Sequence, residues 1–182
     1  MNNENRENRE IILAGFGGQG ILFAGKMLAY FGLLGGREVS WLPSYGPEMR
    51  GGTANCSVCI SDKPIGSPLV TEPNILIVMN NPSYDKFINA VAPDGLAIVD
   101  SSLVGARSDR KDINCVYVPA TQMADENGLR GMANIILVGR LIKETGIASA
   151  EIIRKALEKI IPAAKKHLVE SNMKAIELGM NS

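Results

Sequence analysis

Residues 11–28 read IILAGFGGQGILFAGKML. An apolar run of strand length meets four glycines, at 15, 17, 18 and 20, and continues as an apolar pattern of helical length. Strand, glycine turn and helix in that order open an α/β sheet, so this stretch decides the fold class. Gly15, Gly17 and Gly20 fit the G-x-G-x-x-G template of dinucleotide-binding turns. Glycines there permit positive φ and close approach of a phosphate or another backbone. The free N–H groups at the helix start favour an anion, and Gln19 adds an amide that can donate at the same place. The template alone is equally consistent with a tight turn that only packs the first helix on the sheet.

Working outward, apolar runs at 11–15, 38–42, 54–60, 74–80, 96–100 and 115–119 are expected strands. Helical patterns cover 18–34, 83–91, 120–126, 132–143, 149–160 and 163–178. The run Ile75-Leu76-Ile77-Val78 predicts a central strand buried on both faces. Ser149 is placed to cap the fifth helix, with Glu151 in its first turn. The expectation is a three-layer, Rossmann-like α/β fold with a largely parallel sheet and helices on both faces. Its 182 residues form one domain, with the polar residues 1–9 as a flexible lead-in. Two segments break the rhythm. LPSYGPEMRGGT (42–53) reads as a functional loop, and SDKPIGSPLVTEP (61–73) as a hairpin excursion.

Composition narrows the function. Lysine plus arginine equals aspartate plus glutamate at 19 each, without the basic stripe of a nucleic-acid binder. No apolar run approaches the roughly 18 residues of a membrane span, and the N-terminus lacks a signal-peptide pattern, so a cytoplasmic location is expected. Three cysteines cannot supply the four thiolates of a [4Fe–4S] cluster. Cys56 and Cys59 form a C-x-x-C, but on a strand they point to opposite faces and read as core residues, so no metal site is expected. His167 reads as a solvated residue of a surface helix, and no catalytic acid–base pair or nucleophile stands out. A nicotinamide site needs an acidic residue at the end of the second strand, which here ends SWLPS; Glu38 lies at the wrong end. No Walker A pattern occurs.

The loop SYGPEMRGGT, 44–53, completes the picture. Loops at the carboxyl ends of strands share one edge of a parallel sheet, which sets Tyr45, Glu48 and Arg50 beside the Gly15–Gly20 turn. Tyr45 offers a stacking face with a polar tip, Arg50 a permanently charged fork, and Gly51 and Gly52 accessible backbone N–H groups. The bland alternative is that Glu48 and Arg50 pair to fix an exposed loop, worth ~0–1 kcal/mol. Asn80, Asn81 and Pro82, and the strand end Asp100-Ser101-Ser102, reach the same edge, where capping and turn roles compete with a place in the site.

GFGGQGILFAGKMLA (15–29) followed by SYGPEMRGGTANCSVCIS (44–61) resembles the γ subunit of 2-oxoacid:ferredoxin oxidoreductases. NILIVMN, the helix start at Pro82-Ser83 and LAIVDSSL continue the match, and the second motif looks closest to the 2-oxoglutarate branch. The resemblance implies one subunit of a coenzyme A-acylating complex, inactive alone. It implies α and β subunits carrying thiamine diphosphate, Mg and [4Fe–4S] clusters, with a ferredoxin-like δ subunit, since no Gly-Asp-Gly motif or cluster set occurs here. The ligand- or partner-contacting residues are then Gly15, Gly17, Gly18, Gln19, Gly20, Tyr45, Glu48, Arg50, Gly51 and Gly52, facing a partner subunit or coenzyme A. In isolation the same surface could hold a second copy of the chain. Two alternatives stay open: the pyruvate or branched-chain branch of the family, and a free-standing nucleotide-binding oxidoreductase.

Overall fold

The structure, a computed structural model, describes residues 8–44 and 53–182. Six strands form one sheet: β1 (Arg9–Phe16), β2 (Glu38–Ser44), β3 (Thr53–Ser61), β4 (Ile75–Val78), β5 (Leu96–Asp100) and β6 (Asn114–Val118), in the order β2-β3-β1-β4-β5-β6. The helices are α1 (Ile21–Leu34), α2 (Asn81–Phe87), α3 (Ala120–Glu126), α4 (Ala133–Thr145), α5 (Ala150–Ile160) and α6 (Leu168–Met180). Each expected strand and helix is found, with ends shifted by a few residues. Ser149 caps α5, accepting from the Ile152 N–H at 3.3 Å, and Glu151 stands in its first turn.

The sheet is mixed. β1, β4, β5 and β6 run parallel, whereas β3 pairs antiparallel with both β1 and β2. The hairpin therefore lies at β2–β3, one loop earlier than the sequence suggests. The segment expected as a hairpin, 61–73, only finishes β3 and then crosses to β4 without helix or strand. Its Pro64, Pro68 and Pro73 lack the N–H a ladder needs, which is why the turn-rich composition gives a crossing rather than a strand pair.

Strand residues alternate between two cores. Ile11, Leu13, Cys56, Val58, Ile75, Ile77 and Ile98 face α1, α4 and α5, while Ile12, Ala14, Cys59, Leu76, Val78 and Val99 face Tyr84 and Ile88 beneath α2. Cys56 and Cys59 thus fall into opposite layers, as the period of two requires. β4 is buried along its whole length, each aliphatic side chain contributing ~1.5–3 kcal/mol.

The two faces carry unequal cover. Among the described residues, α2, a short 3-10 turn at Ile88–Ala90 and irregular segments lie on one side; α1, α3, α4 and α5 lie on the other. On that side α4 is itself covered by α6, which explains why nearly all of Ala133–Ile142 is buried. Two glycines allow the crossing. A Cβ on Gly139 would stand 2.2 Å from the Ile176 oxygen, and one on Gly179 would collide with the Ile136 oxygen at 1.9 Å. The backbones of α4 and α6 touch because neither residue has a side chain.

Candidate functional site

β1 and β4 are parallel neighbours, yet the chain leaves β1 for α1 on one face and leaves β4 for α2 on the other. Between two such strands the carboxyl edge opens into a crevice, the usual ligand-binding place in an open α/β sheet. The glycine turn forms one wall of it, and Met79-Asn80-Asn81 the other.

The turn is braced from within. Gln19 N–H donates to the Phe16 carbonyl at 3.2 Å. The Gln19 side chain accepts from Phe16 N–H at 2.6 Å and donates from Nε2 to the Met79 carbonyl at 3.2 Å. Its amide therefore ties the end of β1 to the end of β4, instead of reaching outward for a ligand as the sequence suggested. Gly15 makes room for this brace, since a Cβ there would lie 2.6 Å from Gln19 Oε1. Gly20, at φ +73°, is the N-cap of α1, and its carbonyl takes the Ala24 N–H at 3.0 Å and Asn134 Nδ2 at 2.9 Å.

What remains available is the tip. Gly17 and Gly18 are exposed, and Gly18, at φ +96°, has open space where a side chain would stand. Behind it begins a 14-residue helix with no acidic residue in its first turn. Backbone N–H groups, the positive end of a helix dipole and no side chain in the way suit an anion or a closely approaching partner. Phe16 (41 % exposed) and Leu103 (41 % exposed) stand at the same edge. They give it apolar contact area next to the polar backbone.

The second wall is mostly occupied with its own structure. Asn80 caps α2, accepting from the Ser83 N–H at 2.8 Å. Asp100 is fully buried; it accepts from Thr121 Oγ1 at 2.5 Å, Ser102 N–H at 3.1 Å and Thr121 N–H at 3.3 Å. Ser102 Oγ accepts from Gln122 N–H at 3.1 Å. The strand end 100–102 therefore caps α3, whose own N-cap is a proline. Of the two roles weighed for these residues, capping and turn formation are what the geometry shows.

The loop between β2 and β3 carries Tyr45, Glu48, Arg50, Gly51 and Gly52, which lie outside the described residues. Its two anchors are described. Thr53 pairs with Phe16, and Ser44 pairs with Asn55, itself opposite Ala14. Both anchors sit at the carboxyl edge of β1, although β2 is the outermost strand and β3 lies between it and β1. Antiparallel pairing, not a neighbouring parallel strand, brings both anchors to the glycine turn's edge.

Metal chemistry finds no ligand set among the described residues. Cys56 is buried against α1, and burial pushes its thiol up to about 12, tempered by the Trp41 indole beside it. Burial also raises Cys59 on the opposite face. Both are poor thiolate donors. His167 is exposed at the start of α6. Among the described residues no helix is long and apolar enough to cross a membrane.

Comparison with known proteins decides the family. A model of the family "Pyruvate ferredoxin/flavodoxin oxidoreductase" matches residues 10–182. The chain belongs to this family. Among curated members it is 37% identical over 169 residues to ketoisovalerate oxidoreductase subunit VorA of Methanothermobacter thermautotrophicus, covering 92% of this chain and 35% of that protein. It is 37% identical over 174 residues to 2-oxoglutarate synthase subunit KorC of Methanocaldococcus jannaschii, covering 94% of this chain and 91% of that protein. The chain thus spans about a third of the VorA relative and nearly all of KorC. Among solved structures, the γ subunit of a keto/oxoacid ferredoxin oxidoreductase from Geobacter sulfurreducens superposes with a TM-score of 0.80 at 30% identity, covering 95% of this chain and 96% of that one. The mixed sheet and its helices are the family's γ-subunit architecture.

Proposed function

We propose that this chain is the γ subunit of a coenzyme A-acylating 2-oxoacid:ferredoxin oxidoreductase that acts on 2-oxoglutarate in the cytoplasm. The single observation that carries this most is the edge itself: an exposed, side-chain-free glycine tip lies at the carboxyl edge to which both anchors of the 45–52 loop also run. Such an edge contributes recognition, offering backbone N–H groups and apolar contact area to a partner or an anion. In this reading α and β subunits bring thiamine diphosphate, Mg and [4Fe–4S] clusters, and a ferredoxin-like subunit takes the electrons. Thiamine diphosphate in those subunits supplies the cleavage of the 2-oxoacid. This chain's residues help hold the complex together at the glycine edge and flank the path of coenzyme A.

The full-length match to a 2-oxoglutarate synthase subunit supports the choice of substrate. A branched-chain 2-oxoacid is the second reading, favoured by the equal identity to VorA. Arg50→Ala in the assembled complex separates two roles for the loop. Loss of co-purifying subunits assigns Arg50 to docking; an intact complex with a raised KM for coenzyme A assigns it to the ligand. A complex unchanged in both respects removes the loop from the site.

A further inference from the structure

α1 and β2 leave one flank of the molecule uncovered. β2 is the outermost strand of the sheet and has β3 as its one strand neighbour among the described residues. α1 lies directly over it: a Cβ on Gly25 would stand 3.2 Å from Trp41 Nε1, and one on Gly32 would stand 2.7 Å from Val39 Cγ2. Of the 14 residues of α1, Lys26 alone is charged. A helix so uniformly apolar belongs in an interior. Yet Leu22, Lys26, Ala29 and Leu33, at spacing i, i+4, i+7 and i+11, form a stripe that stays half-buried or exposed, Leu33 at 59 %.

The edge of β2 has a definite phase. Pro43 has no N–H to give, so the ladder to β3 runs through Ser40, Leu42 and Ser44, opposite Cys59, Ser57 and Asn55. The other side of β3 fits the same alternation. Glu10 and Ala14 of β1 then face β4, where their carbonyls accept the Asn74 and Met79 N–H groups, both at 3.0 Å. Val39 and Trp41 therefore direct N–H and C=O outward, with the Pro43 carbonyl beside them. Such groups must be bonded, and an extended backbone is what satisfies a row of them. Leu42, 39 % exposed, projects from the opposite face of the same strand.

We propose that this flank pairs with a second copy of the chain, β2 against β2 across a two-fold axis, giving one continuous sheet. Antiparallel pairing about that axis lets Val39 and Trp41 of each chain donate to carbonyls of the other. It also sets the α1 stripe of one chain beside that of its partner, because both helices lie on one face of the joined sheet. One operation thus completes strand edge and helix stripe together, and the contact closes at two chains. Charge permits it: Lys26 and Glu38 are the only charges on α1 and β2, so two copies meet with no excess of either sign. A strongly charged partner would find nothing here to match. The flank runs down the side of the sheet, whereas the glycine tip crowns its carboxyl edge, so this pairing and the γ-subunit reading stand or fall separately.

Sedimentation equilibrium of the full chain over a wide concentration range tests the pairing, with single-amide hydrogen exchange read by NMR at both ends of that range. The expected result is a monomer–dimer equilibrium with a Kd of roughly 1–100 µM, as suits an interface of modest area. The Val39 and Trp41 amides should exchange about tenfold more slowly in the dimer than in the monomer. Leu33→Glu and Leu42→Lys, both at exposed positions, should each weaken dimerisation about tenfold or more while leaving the far-UV circular dichroism unchanged. A chain that stays monomeric throughout overturns the proposal, and so does growth beyond the dimer. A dimer that leaves these amides unprotected, or that yields to Leu103→Lys at the glycine edge and not to Leu42→Lys, lies elsewhere and overturns it. Protection of Val39 and Trp41 only when other subunits are bound would give the flank to one of them and overturn it too.

Discussion

Gly20→Ala is the most informative substitution in the glycine turn. Gly20 sits at φ +73°, and an added Cβ would lie 2.5 Å from Asn134 Nδ2 and 3.1 Å from its Cγ. Holding an alanine in the left-handed region costs ~1–2 kcal/mol. Pushing Asn134 away removes its bond to the Gly20 carbonyl, a further ~0.5–1.5 kcal/mol. The sum predicts a loss of roughly 1.5–3.5 kcal/mol. Asn134→Ala separates the two parts: alone it should cost about 0.5–1.5 kcal/mol, and in its presence Gly20→Ala should cost only the backbone strain of about 1–2 kcal/mol. Urea denaturation followed by circular dichroism on the four chains gives the cycle. A Gly20→Ala variant within about 0.5 kcal/mol of the parent would refute the left-handed N-cap. A cost that Asn134→Ala does nothing to relieve would refute the close approach of α4.

Two other perturbations test the fold around that turn. Gly179→Ala sets a Cβ against the Ile136 carbonyl in the α4–α6 crossing. Overpacking there should exceed the ~1 kcal/mol that alanine gains over glycine in a helix, leaving a net loss of about 1–3 kcal/mol in a melting or urea experiment; an unchanged or raised stability would show that the helices are not in backbone contact. Cys56 is held up to about 12 by burial, above the ~8.5 of an unfolded cysteine. The unfolded chain therefore releases a proton that the folded chain keeps, so this contribution is whole below about pH 8.5 and is lost as pH rises towards 12. Urea midpoints from pH 8 to 10.5 should fall less steeply in Cys56→Ala than in the parent, and Ellman's reagent at pH 8 should modify the half-exposed Cys115 well before Cys56. Equal slopes, or Cys56 reacting first, would contradict its burial.

The alternation of apolar runs with helical patterns made the sheet and its helices legible, because period and length report burial directly. The opposite faces of Cys56 and Cys59 followed from the period of two alone. The β2–β3 hairpin was harder to read. Its turn residues are spread over a long loop, while the proline-rich crossing at 61–73 carries the stronger turn composition. Gln19 was read as a ligand donor because an isolated sequence shows its amide but not the Met79 carbonyl that takes it, 60 residues away. Asn134 bonds Gly20 across 114 residues, and Gly139 and Gly179 matter only once α6 lies on α4. Contacts of that separation leave no local pattern. The anchors of the 45–52 loop, by contrast, fall at the expected edge.

The central proposal is that this chain works only inside an oxidoreductase complex. Affinity purification of the full chain from its native host, at its natural abundance, tests it most directly. The retained proteins would be identified, and the eluate assayed for coenzyme A-dependent ferredoxin reduction with 2-oxoglutarate, pyruvate and branched-chain 2-oxoacids. Co-purifying thiamine- and cluster-bearing subunits with activity on 2-oxoglutarate is the expected result; activity on another 2-oxoacid would keep the subunit role and change the substrate. A chain that emerges alone and inactive, or carrying a bound nicotinamide or flavin, would contradict it.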